Sequence, residues 1–240
     1  MSLLPARDRL RTITWLGLPI MGAMLSQSLL NLVDAAMVGS LGKEALAGVG
    51  LGSYVNFMAI ALIMGLGAGV QAMVARRRGE GSTQHIAAPL NEGLLIALVA
   101  AIPLTLICWF NAEHIIGFLS QDAAVVELGS DYFQWRSLAI VAVGFNFAFR
   151  GYWNGIRQSG LYLQILILMH LANVAINYGL IFGRFGLPEM GAEGSGLGTC
   201  IAMFLGCALY FVVTLKHGRQ HGFLQARPRS RGLKSMLRLS

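Results

Sequence analysis

TITWLGLPIMGAMLSQSLLNLVDAAMVGSL, residues 12–41, decides the class of fold. A bilayer core about 30 Å thick needs about 20 residues of helix. This stretch exceeds that length and carries a single charge, Asp34. Arg7, Arg9 and Arg11 precede it, as in the charged start of a secretory signal. The run is too long for the apolar centre of a signal peptide, about 7–15 residues, and no small-residue cleavage site follows. It is expected to remain as a first spanning helix.

The rest of the chain agrees. Hydrophobic residues make up 55% of the 240 and charged residues 12%. Soluble domains carry about 25% charged residues, so a water-facing surface is hard to build here. Five further stretches read as spans, near Ala45–Ala75, Ala87–Phe110, Ala123–Phe149, Leu161–Phe182 and Gly191–Leu215. The expected fold class is an all-α polytopic membrane protein with six transmembrane helices. The fourth span is the weakest, because Glu127, Asp131 and Arg136 interrupt it. Tyr132, Phe133 and Trp135 there are expected to form an interfacial aromatic belt.

Charge distribution sets the orientation. With six spans, 15 of the 18 Lys and Arg residues fall on one side, and the exceptions are Lys43, Arg136 and Arg184. Basic residues collect on the cytoplasmic side, so both ends of the chain are expected there. The net charge of +7 is therefore assigned to orientation and lipid headgroups, and no nucleic-acid partner is expected. Cys108, Cys200 and Cys207 sit in apolar runs without metal-ligand spacing and read as packing residues. Pro19 and Pro103 fall inside spans and are expected to bend them. Among 30 glycines, many lie within spans, where small residues permit close helix approach.

Polar side chains at membrane depth single out a site. Gln27, Asn31 and Asp34 share one face of the first span, at i, i+4 and i+7. His170, Asn173 and Asn177 do the same in the fifth, and Thr199 lies about two turns into the sixth. Counting depth from the outer ends puts Asp34, Asn173, Asn177 and Thr199 in one layer. A carboxylate in a low-dielectric setting takes up a proton or holds a small hard cation with neutral oxygens around it. The alternative for Asn and Thr is plain interhelical hydrogen bonding. Gln27 and Asn31 would line the path to a central cavity. Met21, Met24, Met58 and Met64 are either plain packing or soft contacts for varied ligands. No nucleotide-binding loop, zinc-protease motif or nucleophile elbow occurs, so the chain does not read as an enzyme and no organic cofactor is expected. An ion gradient is left as the energy source.

Three passages together resemble the multidrug and toxic compound extrusion (MATE) family. They are Pro19…Asn31-Leu-Val-Asp34-Ala-Ala-Met-Val-Gly39-Ser-Leu-Gly42, Phe149-Arg-Gly151-Tyr-Trp-Asn-Gly155, and Asn173-Val-Ala-Ile-Asn177 with Gly191-Ala-Glu-Gly194-Ser-Gly196-Leu-Gly198-Thr199. The resemblance implies a secondary antiporter of the bacterial inner membrane, in which Na+ or H+ enters as drugs or other amphiphilic compounds leave. It implies a cation site at Asp34, Asn173, Asn177 and Thr199, and bending of the first helix at Pro19. Some members carry an acid where Asn177 stands, so the choice of ion is left open. The family has twelve helices in two lobes. Residues 1–215 then correspond to the N-terminal lobe, and residues 216–240 to a basic cytoplasmic linker and the start of a seventh helix. The expected partner is a missing C-terminal lobe or a second copy. Two other readings are a lipid-linked sugar flippase, disfavoured because the basic residues are expected at the rim, and a non-transporting half-lobe.

Overall fold

The computed structural model describes residues 7–81, 85–218 and 221–224, and they are overwhelmingly helical. The elements are α1 (Arg7–Gly39), α2 (Lys43–Gly79), α3 (Ala88–Phe110), α4 (Ala112–Leu119), α5 (Ala123–Leu138), α6 (Ile140–Gly155), α7 (Ser159–Phe182) and α8 (Gly191–Gly218). α1, α2, α3, α7 and α8 are long and apolar enough to cross a membrane. The expected fourth span is instead two helices, α5 and α6, broken at Ala139 and preceded by the short α4.

The break has no proline or glycine. The Ala139 N–H turns back to the carbonyls of Arg136 and Ser137. The Ser137 carbonyl also accepts from Thr105 Oγ1 of α3 at 3.1 Å. Inside a membrane a broken helix persists only where neighbours satisfy the freed backbone groups, and Thr105 does so here.

Glycines explain why α5 and α6 still act as one crossing. A Cβ on Gly48 would lie 2.8 Å from Gly129 N, and one on Gly52 would lie 2.7 Å from the Tyr132 ring. Further along, a Cβ on Gly67 would lie 3.0 Å from the Phe147 carbonyl, and one on Gly155 would lie 2.7 Å from Val74. Residue numbers rise together on both sides. α2 and the α5–α6 pair therefore run parallel and in register along their lengths, as alternate crossings of an up-and-down bundle must. In lipid such contact is held by dispersion between close backbones, because acyl chains supply no hydrophobic drive between helices.

The remaining helices close around this pair. α7 and α8 form a hairpin whose turn uses Gly183 at φ 63° and Gly191 at φ 56°. α1 packs on α7, where Ser26 Oγ and His170 Nδ1 are 2.7 Å apart. α1 is helical on both sides of Pro19. The expected aromatic belt is not formed: Tyr132 and Phe133 are buried in the bundle. Tyr132 OH meets Ser53 Oγ at 2.9 Å instead, and Trp135 Nε1 donates to Glu193 Oε1 at 2.7 Å. These rings lie on the α2-facing and α8-facing sides of α5, and packing decides their direction.

On the side where α2 ends and α3 begins, the turn at residues 221–224 is clasped to α3. Ala87 N–H donates to the His221 carbonyl at 3.0 Å. Asn91 Nδ2 donates to the Gly222 carbonyl at 3.2 Å, and Asn91 Oδ1 accepts from the Leu224 N–H at 3.1 Å. Phe223 is fully buried beneath this clasp, against Phe149 and Phe211. Lys216 lies in the last turn of α8. Most of the expected linker, and all of the expected seventh helix, fall outside the described residues.

Candidate cation and ligand site

Asp34, Asn173, Asn177 and Thr199 come together where α1, α7 and α8 meet. Asn177 Nδ2 is the hub. It faces Asp34 Oδ1 at 3.0 Å, Asn173 Oδ1 at 3.3 Å and Thr199 Oγ1 at 3.4 Å. An amide nitrogen has two hydrogens, so three acceptors share them. Thr199 Oγ1 donates its own hydrogen to the Ser195 carbonyl at 2.9 Å and so offers lone pairs inward. Asn173 and Asn177 are buried, at 1% and 0% exposure. Asn177 Oδ1 and Asn173 Nδ2 are buried without a hydrogen-bond partner among the described residues.

The Gly194, Gly196, Gly198 run makes this approach possible. A Cβ on Gly194 would lie 2.8 Å from the Leu180 carbonyl of α7, and one on Gly196 would lie 2.6 Å from the Tyr132 carbonyl of α5. A Cβ on Gly198 would overlap Asn177 Oδ1. Residues 194 and 198 share the face toward α7, whereas 196 points to α5. The sequence thus seats α8 between two helices and holds the Asn177 amide against Gly198.

Asp34 and Thr199 also line a cavity of about 680 Å³ bounded by α1, α2, α5, α6, α7 and α8. Organic ligand pockets are commonly about 300–1,000 Å³. Gln27 and Asn31 line it too and hydrogen-bond to each other, Nε2 to Oδ1, at 3.0 Å. His170 stands apart, paired with Ser26. Of the four singled-out methionines only Met64 lines the cavity. Met21, Met24 and Met58 are exposed and outside its lining, and Met169 and Met203 line the cavity in their place.

Several lining groups were not singled out from sequence. Asn56 and Asn146 each have a buried Oδ1 without a partner among the described residues. Both are amides within apolar runs, the same signal that marked Asn173. Arg136 and Arg150 also line the cavity. The expectation that the basic residues stay at the rim is therefore incorrect for these two. α5 and α6 turn them inward, and the Arg150 guanidinium lies 5.6 Å from the centre of the Tyr162 ring.

Comparison with known proteins gives this geometry a relationship. The MatE family signature matches residues 19–179. The chain belongs to the MatE family. A probable multidrug resistance protein NorM of Rhizobium meliloti is 30% identical over 213 residues, 89% of this chain and 45% of that protein. A MATE transporter of the MOP superfamily, solved in an outward-facing conformation, superposes with a TM-score of 0.84 at 25% identity, over 95% of this chain and 50% of that one. A MATE structure in complex with Br-NRF matches with a TM-score of 0.79 at 25% identity, over 95% of this chain and 52% of that one. The chain thus has the fold of one MATE lobe and spans about half the length of the relatives it matches.

Proposed function

We propose that this MatE protein is a cation-coupled antiporter that exports drugs or related amphiphilic compounds. Na+ or H+ is the coupling ion, and the bacterial inner membrane is the location, with both ends of the chain on the cytoplasmic side. Asp34 is the coupling carboxylate. Asn173, Asn177 and Thr199 are the neutral ligands, and Gln27 and Asn31 lie on the ligand path. A second lobe, or a second copy, completes the cavity. Residues 216–240 lead toward that second lobe, and Pro19 lets α1 bend as the site changes occupancy.

The observation that carries this reading is the Asn177 amide. One partly positive NH2 group stands among three oxygens, while its own Oδ1 has no partner. Turning the amide over would aim four oxygens at one point, from Asp34, Asn173, Asn177 and Thr199. That is a donor set for a small hard cation. A proton on Asp34 would instead need the acceptor oxygen of the turned amide. Either event changes what Asp34 offers to the cavity it lines. Antiport follows if cation and ligand favour different arrangements of the lobes, because only differential affinity shifts such an equilibrium.

A lipid-linked sugar flippase would also place guanidiniums in its cavity. Asp34 in the same cavity opposes a pyrophosphate, so export is the reading adopted. The test is Asp34→Asn in drug-sensitive cells, with the protein as its gene encodes it. Resistance should fall to the vector level. Undiminished resistance at equal expression would remove Asp34 from the coupling step.

A further inference from the structure

We infer that Arg136 is a resident positive charge of the coupling site: it weakens the hold of Asp34 on the coupling cation and so keeps that cation exchangeable. The inference rests on the export reading and adds the residue that sets how tightly the ion is held. Packing fixes the height of Arg136. A Cβ on Gly196 of α8 would lie 2.6 Å from the Tyr132 carbonyl of α5, and further along Asn146 Nδ2 donates to the Met203 carbonyl at 3.1 Å. Both pairs advance in the same direction, so α8 runs parallel to the α5–α6 pair. One turn beyond Tyr132 and Gly196 stand Arg136 and Cys200, and the Arg136 charge acts on the Cys200 thiol. Cys200 adjoins Thr199, which shares the Asn177 hub with Asp34. Arg136 thus belongs to the layer of the cation site, and it lines the same cavity as Asp34.

The field of Arg136 reaches the Asp34 carboxylate. The two do not pair directly: among the described residues the sole ion pair within 4 Å is Arg76 with Glu80. An ion can therefore still bind Asp34, but it binds against the field of Arg136. That charge is permanent, because a guanidinium keeps its proton in proteins. It is also held in place. Its Nε and Nη1 are buried. The backbone beside it is fastened by the Ala139 N–H on the Arg136 carbonyl and by Thr105 on the Ser137 carbonyl. Two unit charges about 10 Å apart, at an effective dielectric of about 20, change an affinity by about tenfold, and by more at shorter range. A carboxylate with neutral oxygens around it would bind a cation that much more tightly without the arginine, and an exchanger has to release its ion as well as take it up.

The test is binding of radioactive sodium to bead-immobilised full-length protein, read by scintillation proximity. It is run at mildly alkaline pH, where protons compete least, with choline holding ionic strength constant. Arg136→Gln should bind sodium at least about tenfold more tightly than the wild type, a gain that damage to the fold does not produce. Arg136→Met, a second uncharged replacement, should show the same gain. Arg136→Lys keeps the charge and should stay near the wild type. Adding Asp34→Asn to Arg136→Gln should remove the gain and so tie it to this carboxylate. Unchanged or weaker binding by both uncharged variants, no sodium binding by any of the proteins, an equal gain in Arg136→Lys, or a gain that survives Asp34→Asn would each overturn the assignment. Resistance that still depends on Asp34 beside any of those results would leave the export reading standing, so the two failures are told apart.

Discussion

Gly198→Ala tests whether the Asn177 amide is held by the packing of α7 against α8. The new Cβ would overlap Asn177 Oδ1 and lie 3.2 Å from both Asn177 Cγ and the Asn177 backbone nitrogen. The amide can swing away, but the backbone nitrogen cannot, so the two helices must part by a few tenths of an ångström. Overpacking of this kind costs about 1–3 kcal/mol. Swinging the amide also breaks its 3.0 Å hydrogen bond to Asp34. A hydrogen bond to a charged group contributes about 1.5–3 kcal/mol, so ion affinity should change by about tenfold or more. Gly50→Ala is the matched control, because nothing lies within 4 Å of its Cβ position. There the helix gains about 0.8–1.0 kcal/mol of propensity. The assay is thermal unfolding of the purified full-length protein, in sodium or choline at equal ionic strength and at several pH values. Gly198→Ala should melt several degrees lower and lose most of any sodium- or proton-dependent shift, while Gly50→Ala should not melt lower. A Gly198→Ala protein that melts with the wild type and keeps its ion response would refute the claim that this glycine seats the amide.

Two further outcomes follow from the packing. Gly48→Ala should destabilise by about 1–3 kcal/mol, because its Cβ would press on Gly129 N and the Val125 carbonyl, both backbone; denaturant titration against Gly50→Ala measures the difference. Thr105→Val should cost about 1 kcal/mol by removing a donor to the Ser137 carbonyl, and should speed hydrogen exchange of the amides at Ala139 to Val143 without changing distant helices.

The crossings were legible because membrane depth imposes length and apolarity together. The apolar runs read as six spans, the fourth of them the weakest, and the alternation of basic loops agreed with that count. The layer of Asp34, Asn173, Asn177 and Thr199 was legible for a similar reason: a helix converts sequence spacing into height at a fixed rise, so two inward counts could be matched. What stayed hidden depended on contacts with other helices. Ala139 carries no breaker residue, and its break is supported from α3 by Thr105. Tyr132 and Phe133 have the composition of a belt, yet Ser53 and the core claim them. Arg136 looked like an interruption of a span, because one chain segment alone does not reveal whether a charge faces lipid or a cavity.

The Asn91 clasp has a mechanical consequence. Its two hydrogen bonds and the Ala87 contact fasten Leu224, Gly222 and His221 to the first turn of α3. The exit of α8 is thereby welded to a helix on the far side of the sequence, with Phe223 as the plug beneath. A swing hinged at the end of α8 would have to break these three hydrogen bonds and draw Phe223 out of the core.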